Sequence, residues 1–320
     1  MRLVVTGGAG FIGSEFVRAA VAGRLALAAE PSVVVLDALT YSGNRANLDA
    51  VAGRIEFVHA DICDPAPVAE AVAGADAVVH FAAESHVDRS IADPAAFART
   101  NVVGTQTLLE AARQAGVARF VQVSTDEVYG SIATGSWPPD QPLAPNSPYA
   151  ASKAAGDLMA LAYHRTYGMD VVVTRGSNTY GPYQFPEKII PLFVTRLIDG
   201  GTVPLYGAGD NVRDWIHVSD HCAGIAAALR DGKAGGVYHL GGGVELTNRE
   251  LTGRLLALCG VGWDRVRTVP DRLGHDVRYS LDIGATSAEL GWRPVVELDR
   301  GLADTVDWYR DNQAWWRPLT

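Results

Sequence analysis

The chain has 320 residues, of which 48% are apolar and 20% are charged, and its formal net charge is −9. This length and composition predict a globular protein with a sizeable core, built as one large or two moderate domains. The negative charge argues against a nucleic-acid partner, or an anionic membrane, bound through bulk electrostatics.

The chain begins directly with a strand-like run, "RLVVTGG", and contains no apolar run of about 18 residues. We therefore expect a cytoplasmic protein without a membrane anchor. The three cysteines, Cys63, Cys222 and Cys259, are far apart and form no CxxC pair. Free thiols are expected, and neither a disulfide framework nor a zinc site.

The first half of the chain alternates short apolar runs, rich in β-branched residues, with helical patterns. Strands are predicted at 3–6, 33–37, 55–61, 76–83, 119–124 and 170–175, and helices from about 11, over about 94–116 and over about 148–167. Near-continuous apolar strands separated by helices predict a parallel sheet covered on both faces. With right-handed crossovers this is a doubly wound α/β sheet, the Rossmann fold.

The second half is less regular and richer in glycine and proline. One further strand–helix unit, at 214–229, is predicted to rejoin the sheet. The rest is interpreted as a smaller, interleaved C-terminal substrate domain. The expected division is residues 1–176 plus about 212–242 for the nucleotide-binding domain, and about 177–211 plus 243–320 for the substrate domain.

A glycine-rich segment, "TGGAGFIGS" (6–14), lies between the first strand and the first helix. It places Gly7, Gly10 and Gly13 in a GxxGxxG spacing. Glycine permits positive φ and close approach of the backbone to a pyrophosphate, while the helix N-terminus supplies N–H groups and a positive dipole. The alternative is a turn without function, but the βαβ context favours a dinucleotide site.

Acidic residues end the second and third strands. Asp37 lies where a carboxylate takes the ribose hydroxyls of NAD and would repel the 2′-phosphate of NADP. No arginine follows it immediately, so NAD is favoured. Asp61 and Ile62 are placed to flank the adenine, although a turn-forming aspartate explains Asp61 equally well.

A tyrosine and a lysine stand one turn apart in the helix predicted at 148–167. Ser147 is the expected N-cap and Gly168 the C′ residue. Tyr149 and Lys153 are four residues apart and hence on one face. An ammonium ~4 Å away would favour the phenolate by about 4 kcal/mol at an effective dielectric of ~20. Such a pair can deprotonate an alcohol that loses a hydride; the alternative is an incidental pair on an amphipathic helix.

The fifth predicted strand runs into "STDEVYG" (124–130), which holds Thr125, Asp126 and Glu127 in consecutive positions. Ligands of an open parallel sheet bind beyond the carboxyl ends of its strands, so this triplet is expected at the site. The alternative is N-capping and turn formation as the chain leaves the strand.

Several segments together resemble the extended short-chain dehydrogenase/reductase family that acts on nucleotide sugars, and within it the 4,6-dehydratase branch. They cover essentially the whole chain: "TGGAGFIGS", "LDALTYSGNRANL", "FAAESHVDRSI", "TNVVGT", "STDEVYGS", "SPYAASKA", "NTYGPYQFPEKIIPLF", "PLYGAGDNVRDWIHVSDH" and "GHDVRYSLD". The Thr-Asp-Glu triplet distinguishes the dehydratase branch from the related epimerases and decarboxylases, which typically lack the Asp-Glu pair.

The resemblance implies dehydration of dTDP-glucose to dTDP-4-keto-6-deoxyglucose with NAD that stays bound. Tyr149 would deprotonate the 4-hydroxyl, with Thr125 and Lys153 at its side. Glu127 would remove the proton on carbon 5, and Asp126, kept protonated, would help the 6-hydroxyl leave as water. One carboxyl must be charged and its neighbour neutral, so their environments must separate their pKa values.

The resemblance also implies further contacts, residue by residue. The cofactor positions are Gly7, Gly10, Phe11, Ile12, Gly13, Asp37, Ala38, Leu39, Thr40, Asp61, Ile62, Ala82, Ala83, Thr100, Tyr149, Lys153 and Thr179. The substrate positions are Ser85, Thr125, Asn178, Lys188, Ile189, Pro204, Tyr206, Arg213, Asn248, Arg278 and Tyr279. Arg213 and Arg278 suit a diphosphate, because a guanidinium grips phosphate oxygens bidentately. No metal is implied.

The chain departs from the family pattern at two positions. Thr179 stands where a second asparagine is expected, which puts the hydrogen bonding on the nicotinamide side in doubt, and Gly176 stands where a cysteine or larger residue is commoner. A homodimer through the helices at about 94–115 and 148–167 is implied. The rival predictions are a nucleotide-sugar epimerase or decarboxylase of the same fold, and a non-catalytic NAD-binding sensor; uridine remains open as the nucleoside.

Overall fold

The computed structural model describes residues 1–271 and 274–320. Its strands, in chain order from β1 to β12, are Arg2–Thr6, Ser32–Asp37, Ile55–His59, Ala77–His80, Arg119–Thr125, Val171–Gly176, Asn178–Tyr180, Val203–Tyr206, Val212–His217, Val237–Leu240, Glu245–Thr247 and Val266–Val269. Its α-helices, from α1 to α12, are Phe11–Val21, Pro65–Val72, Val87–Ala92, Pro94–Ala98, Thr105–Gln114, Pro148–Tyr167, Ile189–Ile198, Val218–Asp231, Asn248–Cys259, Gly284–Leu290, Leu298–Asp311 and Gln313–Trp316.

Seven parallel strands form the central sheet in the order β10-β6-β5-β4-β1-β2-β3. Alternate side chains of each central strand enter two separate cores. Val5 and Val121 face α1 and α8, whereas Val4 and Phe120 face α2, α5 and α6. Because both faces are covered, these strands are apolar throughout, and the predicted doubly wound α/β fold is confirmed.

The predicted ends of the helix at about 148–167 are also confirmed in detail. The Ser147 hydroxyl accepts a hydrogen bond from the Ala150 N–H, and Gly168 ends α6 with a φ of +68°. The helix predicted at about 94–116 differs, since a π-helical segment at Arg99–Gly104 separates α4 from α5. The Asn101 side-chain amide in this segment accepts from the Glu84 N–H and donates to the Glu84 carbonyl.

The strand–helix unit predicted at 214–229 divides between two sheets. Its strand, β9, pairs with β7 and β11 in a three-stranded sheet, so the prediction that it rejoins the central sheet is wrong for the strand. Its helix, α8, does pack on the central sheet, and β10 takes the edge position beside β6. A second small sheet, β12-β8, and the helices α7, α9 and α11 enclose a third core.

Among residues 1–271 and 274–320, no helix is long and apolar enough to cross a membrane. Within the same ranges, no group of three or more histidine, cysteine or carboxylate side chains could hold a metal ion. The three cysteines are free.

Candidate active site

A cavity of about 460 Å³ lies at the carboxyl ends of the central strands, between the large sheet and the smaller sheets. The turn after β1, the ends of β2, β5 and β6, and the start of α6 contribute to its wall, together with α7, β8 and β9. All the residues predicted from the sequence to contact cofactor or substrate line this cavity, except Leu39 and Arg278.

The two exceptions have identifiable causes. Leu39 has a φ of +50° and its N–H donates to Asp37 Oδ1 at 2.8 Å, so it shapes the turn after β2 without lining the cavity. The guanidinium of Arg278 donates to both carboxylate oxygens of Glu245, at 2.6 and 2.7 Å, and to the carbonyl of Gly135. Arg278 is thus engaged by Glu245 and does not line the cavity, and its contact with the diphosphate stays a prediction.

The glycine-rich turn is packed so closely that side chains are excluded. Gly7 has a φ of +67°, and a Cβ there would lie 2.5 Å from the Ala82 nitrogen. A Cβ on Gly13 would lie 2.2 Å from the Gly7 carbonyl oxygen. Gly10 is the N-cap of α1 and provides no capping side chain. The N–H groups of the first turn therefore have no side-chain cap, as an anion-binding helix N-terminus requires.

Asp37 and Asp61 differ in how they are held. The Asp37 carboxylate accepts hydrogen bonds from the Ala9 and Leu39 N–H groups, both at 2.8 Å, and burial raises its pKa. Asp61 lines the cavity and also forms a turn, since its Oδ1 accepts from the Cys63 N–H at 2.8 Å. The turn-forming interpretation of Asp61 is thus observed, and its contact with the adenine stays a prediction.

The Thr-Asp-Glu triplet forms the end of β5 and the first residues of a 3₁₀ turn. The Thr125 hydroxyl accepts from the Glu127 N–H and donates to Asp126 Oδ1 at 3.1 Å. Asp126 is only 1% exposed, whereas Glu127 is half-buried. All three line the cavity. The triplet therefore caps the 3₁₀ turn and also lines the cavity.

The environment of Asp126 favours its protonated form. Burial raises the pKa of its carboxyl well above the usual range, and the negative charges of Glu127 and Asp214 raise it further, against smaller lowering effects of Thr125 and Arg213. Its Oδ2 atom is buried and has no hydrogen-bond partner among the described residues. A buried carboxylate without a partner is costly, so a neutral carboxyl is the stable state.

Tyr149 and Lys153 line the cavity from α6. The pKa of the Tyr149 phenol, however, is shifted in the direction opposite to the one expected from the sequence. The Lys153 ammonium donates to the Val123 carbonyl at 2.8 Å. Burial, Glu127 and Asp126 raise the pKa of the Tyr149 phenol well above its usual value, and only Thr125 lowers it appreciably. The predicted lowering by Lys153 is thus not observed, because burial and two carboxyl groups dominate.

On the substrate side, Arg213 is buried in the wall with its guanidinium 4.3 Å from the centre of the Tyr279 ring. It donates to the Val212 and Asp276 carbonyl oxygens, at 2.7 and 2.9 Å. These bonds fix the guanidinium in the wall of the cavity.

Several cavity residues were not identified from the sequence. At the rim, Glu187 lines the cavity, and its Oε1 accepts a hydrogen bond from the Tyr41 hydroxyl at 3.0 Å. Tyr41 is not part of the lining, and the Arg89 guanidinium lies 3.6 Å from its ring centre. Lys188, which was predicted, donates to the Ser85 carbonyl at 2.7 Å. His221 forms part of the wall beside Gly176. The motif "YSGN" and the "PEK" sequence contain Tyr41 and Glu187 and could have indicated the rim pair.

Together, the glycine-rich turn, Asp37 and the Tyr–Lys pair beyond a doubly wound sheet define a dinucleotide-binding protein of the short-chain dehydrogenase/reductase type. The family profile described as GDP-mannose 4,6 dehydratase matches residues 4–305. The chain belongs to this family and, within it, to the dTDP-glucose 4,6-dehydratases.

Three relatives illustrate the likeness. A dTDP-glucose 4,6-dehydratase of Streptomyces niveus is 61% identical, with 100% of this chain and 96% of the relative covered. The crystal structure of a dTDP-glucose 4,6-dehydratase of Streptomyces venezuelae, with NAD and dTDP bound, is 63% identical, has a TM-score of 0.99 and is fully covered in both chains. A Thermus thermophilus UDP-glucose 4-epimerase in complex with NAD is 35% identical, with a TM-score of 0.90 over 98% of this chain and 100% of the other.

Proposed function

We propose that the protein is an NAD-dependent lyase that converts dTDP-glucose into dTDP-4-keto-6-deoxyglucose and water. The reaction consists of oxidation at carbon 4, elimination of water across carbons 5 and 6, and reduction at carbon 6. The observation that carries the proposal is the pair of adjacent acids on one cavity wall with Tyr149: Asp126 is buried, with a raised pKa, and Glu127 is more exposed. The full-length likeness to dTDP-glucose 4,6-dehydratases supports it.

The cavity fits NAD. The N–H groups in the first turn of α1 would hold the pyrophosphate, and Gly7 and Gly13 allow this turn to form, because a Cβ at either position would meet the protein's own backbone. Asp37 would accept from the adenosine ribose hydroxyls. When bound, NAD would supply the hydride acceptor for carbon 4 and the hydride donor for carbon 6.

The chain's own side chains would handle the protons. Tyr149 takes the proton of the 4-hydroxyl, and Thr125 holds that oxygen by a hydrogen bond. The ketone formed at carbon 4 acidifies the proton on carbon 5, which Glu127 removes. Asp126 gives its proton to the 6-hydroxyl, so the C6–O bond breaks and water leaves. Glu127 returns a proton to carbon 5 in the last step, and exchange with solvent moves the proton gained by Tyr149 away and restores the one lost by Asp126. The cycle is redox-neutral because the hydride taken from carbon 4 would return to carbon 6.

The environments of the two acids suit these opposite roles. Burial and the neighbouring negative charges raise the pKa of Asp126 well above its usual range, which favours the protonated form that a general acid requires. The phenol of Tyr149 is also protonated at rest, since its pKa is raised. We infer that Tyr149 becomes a base only when bound ligands bring positive charge into the cavity.

An epimerase or decarboxylase of the same fold is the second candidate, favoured by the similarity to the Thermus epimerase. Neither reaction needs an acid for a departing 6-hydroxyl, so Asp126 would have no role in it. A non-catalytic NAD sensor would need none of Thr125, Glu127 and Tyr149, yet all three line the cavity.

We further propose a cytoplasmic homodimer. The large apolar side chains Ile91, Val103, Leu158 and Tyr167 are 42 to 56% exposed, and they lie on α3, the π-helical segment and α6. A two-helix face built on α6 would cover them. The free cysteines accord with a reducing compartment. We retain the division into a nucleotide-binding unit (1–176 and about 212–242) and a substrate unit (about 177–211 and 243–320), except that β9 goes with the substrate unit, because it pairs with β7 and β11.

The proposed function is tested by incubating the purified chain, without added NAD, with dTDP-glucose and separately with UDP-glucose. Mass spectrometry should show a loss of one water from dTDP-glucose, and NMR should show a methyl group at carbon 6 and a ketone at carbon 4. A 4-epimer or a decarboxylated sugar as the product would contradict the proposal.

A further inference from the structure

A fully buried carboxyl group, that of Asp157, lies on the same face of α6 as Tyr149 and Lys153. The three residues are spaced four apart, so their side chains stack one turn above another. Tyr149 and Lys153 line the cavity, whereas Asp157 is 0% exposed behind them. No step of the proposed reaction uses this carboxyl group, and a buried carboxyl group is costly, so its presence requires an explanation.

The neighbours of Asp157 place it beside the ammonium group of Lys153. Asp157 Oδ2 accepts a hydrogen bond from Arg175 Nε at 3.0 Å, and Arg175 is the register partner of Ser124 in the central sheet. Lys153 Nζ donates to the carbonyl of Val123, the residue before Ser124, at 2.8 Å. The two side chains thus leave one face of α6 and reach neighbouring points of β5 and β6.

The pair with Arg175 does not use the whole carboxylate. Asp157 Oδ1 is buried and has no hydrogen-bond partner within residues 1–271 and 274–320. Burial raises the pKa of Asp157, and the positive charges of Arg175 and Lys153 oppose this effect. The carboxylate is therefore stabilised by two cations, by Arg175 through a hydrogen bond and by Lys153 through its charge.

Lys153 needs this carboxylate as much as the carboxylate needs Lys153. The ammonium group is buried, which lowers the pKa of Lys153, and the negative charge of Asp157 is the effect that raises it. A buried lysine without an anion nearby readily loses its proton.

The other groups near Lys153 do not replace Asp157. Titratable or charged side chains on the surrounding elements are His80 on β4, Asp126 and Glu127 after β5, Tyr149 on α6 and Arg175 on β6. Burial lowers the pKa of His80 to about 3, so its imidazole is neutral. Raised pKa values favour the neutral forms of Asp126 and Tyr149, and the charge of Glu127 acts on those two groups.

We propose that Asp157 is a positioning residue that keeps Lys153 in its charged form next to Tyr149. The inference rests on the proposed function, in which Tyr149 takes the proton of the 4-hydroxyl. A positive charge one turn away stabilises the phenolate that this step requires. Asp157 touches neither substrate nor cofactor and acts on the reaction through Lys153, while Arg175 holds the carboxylate in place.

A titration of the lysine side chains tests the proposal directly, because the chain contains three lysines, Lys153, Lys188 and Lys233. The full chain is labelled with [ε-¹³C]lysine, and the Cε signals, assigned through Lys188→Arg and Lys233→Arg, are followed with pH. Asp157→Asn should lower the pKa of Lys153 by about one pH unit or more, the usual effect of losing a nearby opposite charge. The basic limb of the pH profile for turnover of dTDP-glucose should move down by the same interval.

The sign of the change separates this role from a purely structural one. A loosened structure would admit water to Lys153 and raise its pKa towards the ordinary value of about 10.4. An unchanged or raised pKa of Lys153 in Asp157→Asn, or an unmoved basic limb, would therefore overturn the proposal.

Asp170→Asn is the matched control. Asp170 also pairs with an arginine, since its Oδ2 lies 2.8 Å from Arg119 Nη2, but this pair stands at the start of β5, at the end away from the cavity. The control should leave the pKa of Lys153 at its wild-type value. A lowering equal to that in Asp157→Asn would contradict a specific role of Asp157.

A second variant guards against a fold that fails when Arg175 loses its partner. Asp157→Asn combined with Arg175→Met removes both buried charges and leaves no unpaired ion. The pKa of Lys153 should again be lowered, because Asp157 is the charge that acts on it. An unchanged value would refute the proposal. If wild type still dehydrates dTDP-glucose in that event, only the role of Asp157 is wrong and the proposed function stands.

Discussion

The two ends of the cavity are built on opposite principles. At the end formed by β1 and β2, Asp37 is held by two backbone N–H groups, and Gly7 and Gly13 leave no room for side chains. At the end formed by β5 and β6, Asp126 Oδ2 and His221 Nε2 are buried without partners among the described residues. At the first end the carboxylate is satisfied by the protein's own backbone, whereas the second end keeps buried polar atoms unpaired.

This difference indicates which end of the cavity contributes to stability and which end carries out the chemistry. Unsatisfied buried polar groups cost free energy of folding, and such costs are concentrated where function requires them. Substitutions at the β5–β6 end should therefore abolish chemistry while sparing or raising stability. Substitutions in the glycine-rich turn should instead weaken dinucleotide binding through steric conflict.

The largest effect is expected for Tyr149→Phe, which removes the phenolic proton acceptor and leaves the ring. Turnover of dTDP-glucose should fall by about 10³-fold or more, in the range of general acid–base groups. Tyr163→Phe is the control, because Tyr163 lies on the same helix but hydrogen-bonds Glu110 and Gln106 outside the cavity. Near wild-type turnover of the Tyr149→Phe enzyme would contradict the role of Tyr149 as the proton acceptor.

Glu127→Gln should separate oxidation from elimination. Without the base for carbon 5, incorporation of solvent deuterium into that carbon should fall by about 10³-fold, while NADH accumulates and the affinity for NAD stays unchanged. The exposed Glu70 provides the control variant Glu70→Gln. Rapid deuterium exchange in the Glu127 variant would assign the base to another residue.

Asp126→Asn should lower turnover by about 10²-fold and yet stabilise the fold. Because burial raises the pKa of Asp126, the folded chain keeps a proton that the unfolded chain releases above about pH 4. The wild type therefore loses stability relative to the variant as the pH rises from about 4 towards the folded-state pKa. Thermal melts should show that the melting temperature of the variant exceeds that of the wild type by an amount that grows over this pH interval. A difference that shrinks would contradict the assignment of Asp126 as the neutral acid.

The smallest of these effects is expected at the opposite end, for Gly7→Ala. Its Cβ would meet the Ala82 backbone, so the affinity for ADP-ribose should fall by about tenfold, for the loss of about 1.4 kcal/mol. Gly23→Ala is matched in backbone conformation, with a φ of +68° and nothing within 4 Å of the added Cβ. Both variants carry the strain of positive φ, but only Gly7→Ala should lose affinity.

The sequence predicted those features that local patterns determine. The strands of the central sheet follow from continuous apolar runs, the ends of α6 from Ser147 and Gly168, and the cavity wall from motifs at strand ends. The assigned roles of these wall residues are still predictions.

Features that depend on distant partners were not predictable from local patterns. The pairing of β9 with β7 and β11 is decided by tertiary contacts, and Arg278 meets Glu245 across 33 residues. The burial that raises the pKa of Tyr149 is likewise a property of the folded cavity. The contact of His221 with Gly176 joins positions 45 residues apart and has no signature in either segment.

The most direct test of the account follows a label through the reaction. The chain is incubated with dTDP-[4-²H]glucose in ordinary water, and the product is analysed by NMR. The account predicts dTDP-4-keto-6-deoxyglucose with the deuterium on carbon 6, because the hydrogen taken from carbon 4 returns to the carbon that loses its hydroxyl. Deuterium recovered on carbon 4 of an epimerised sugar, or a 6-deoxy product without the label, would contradict it.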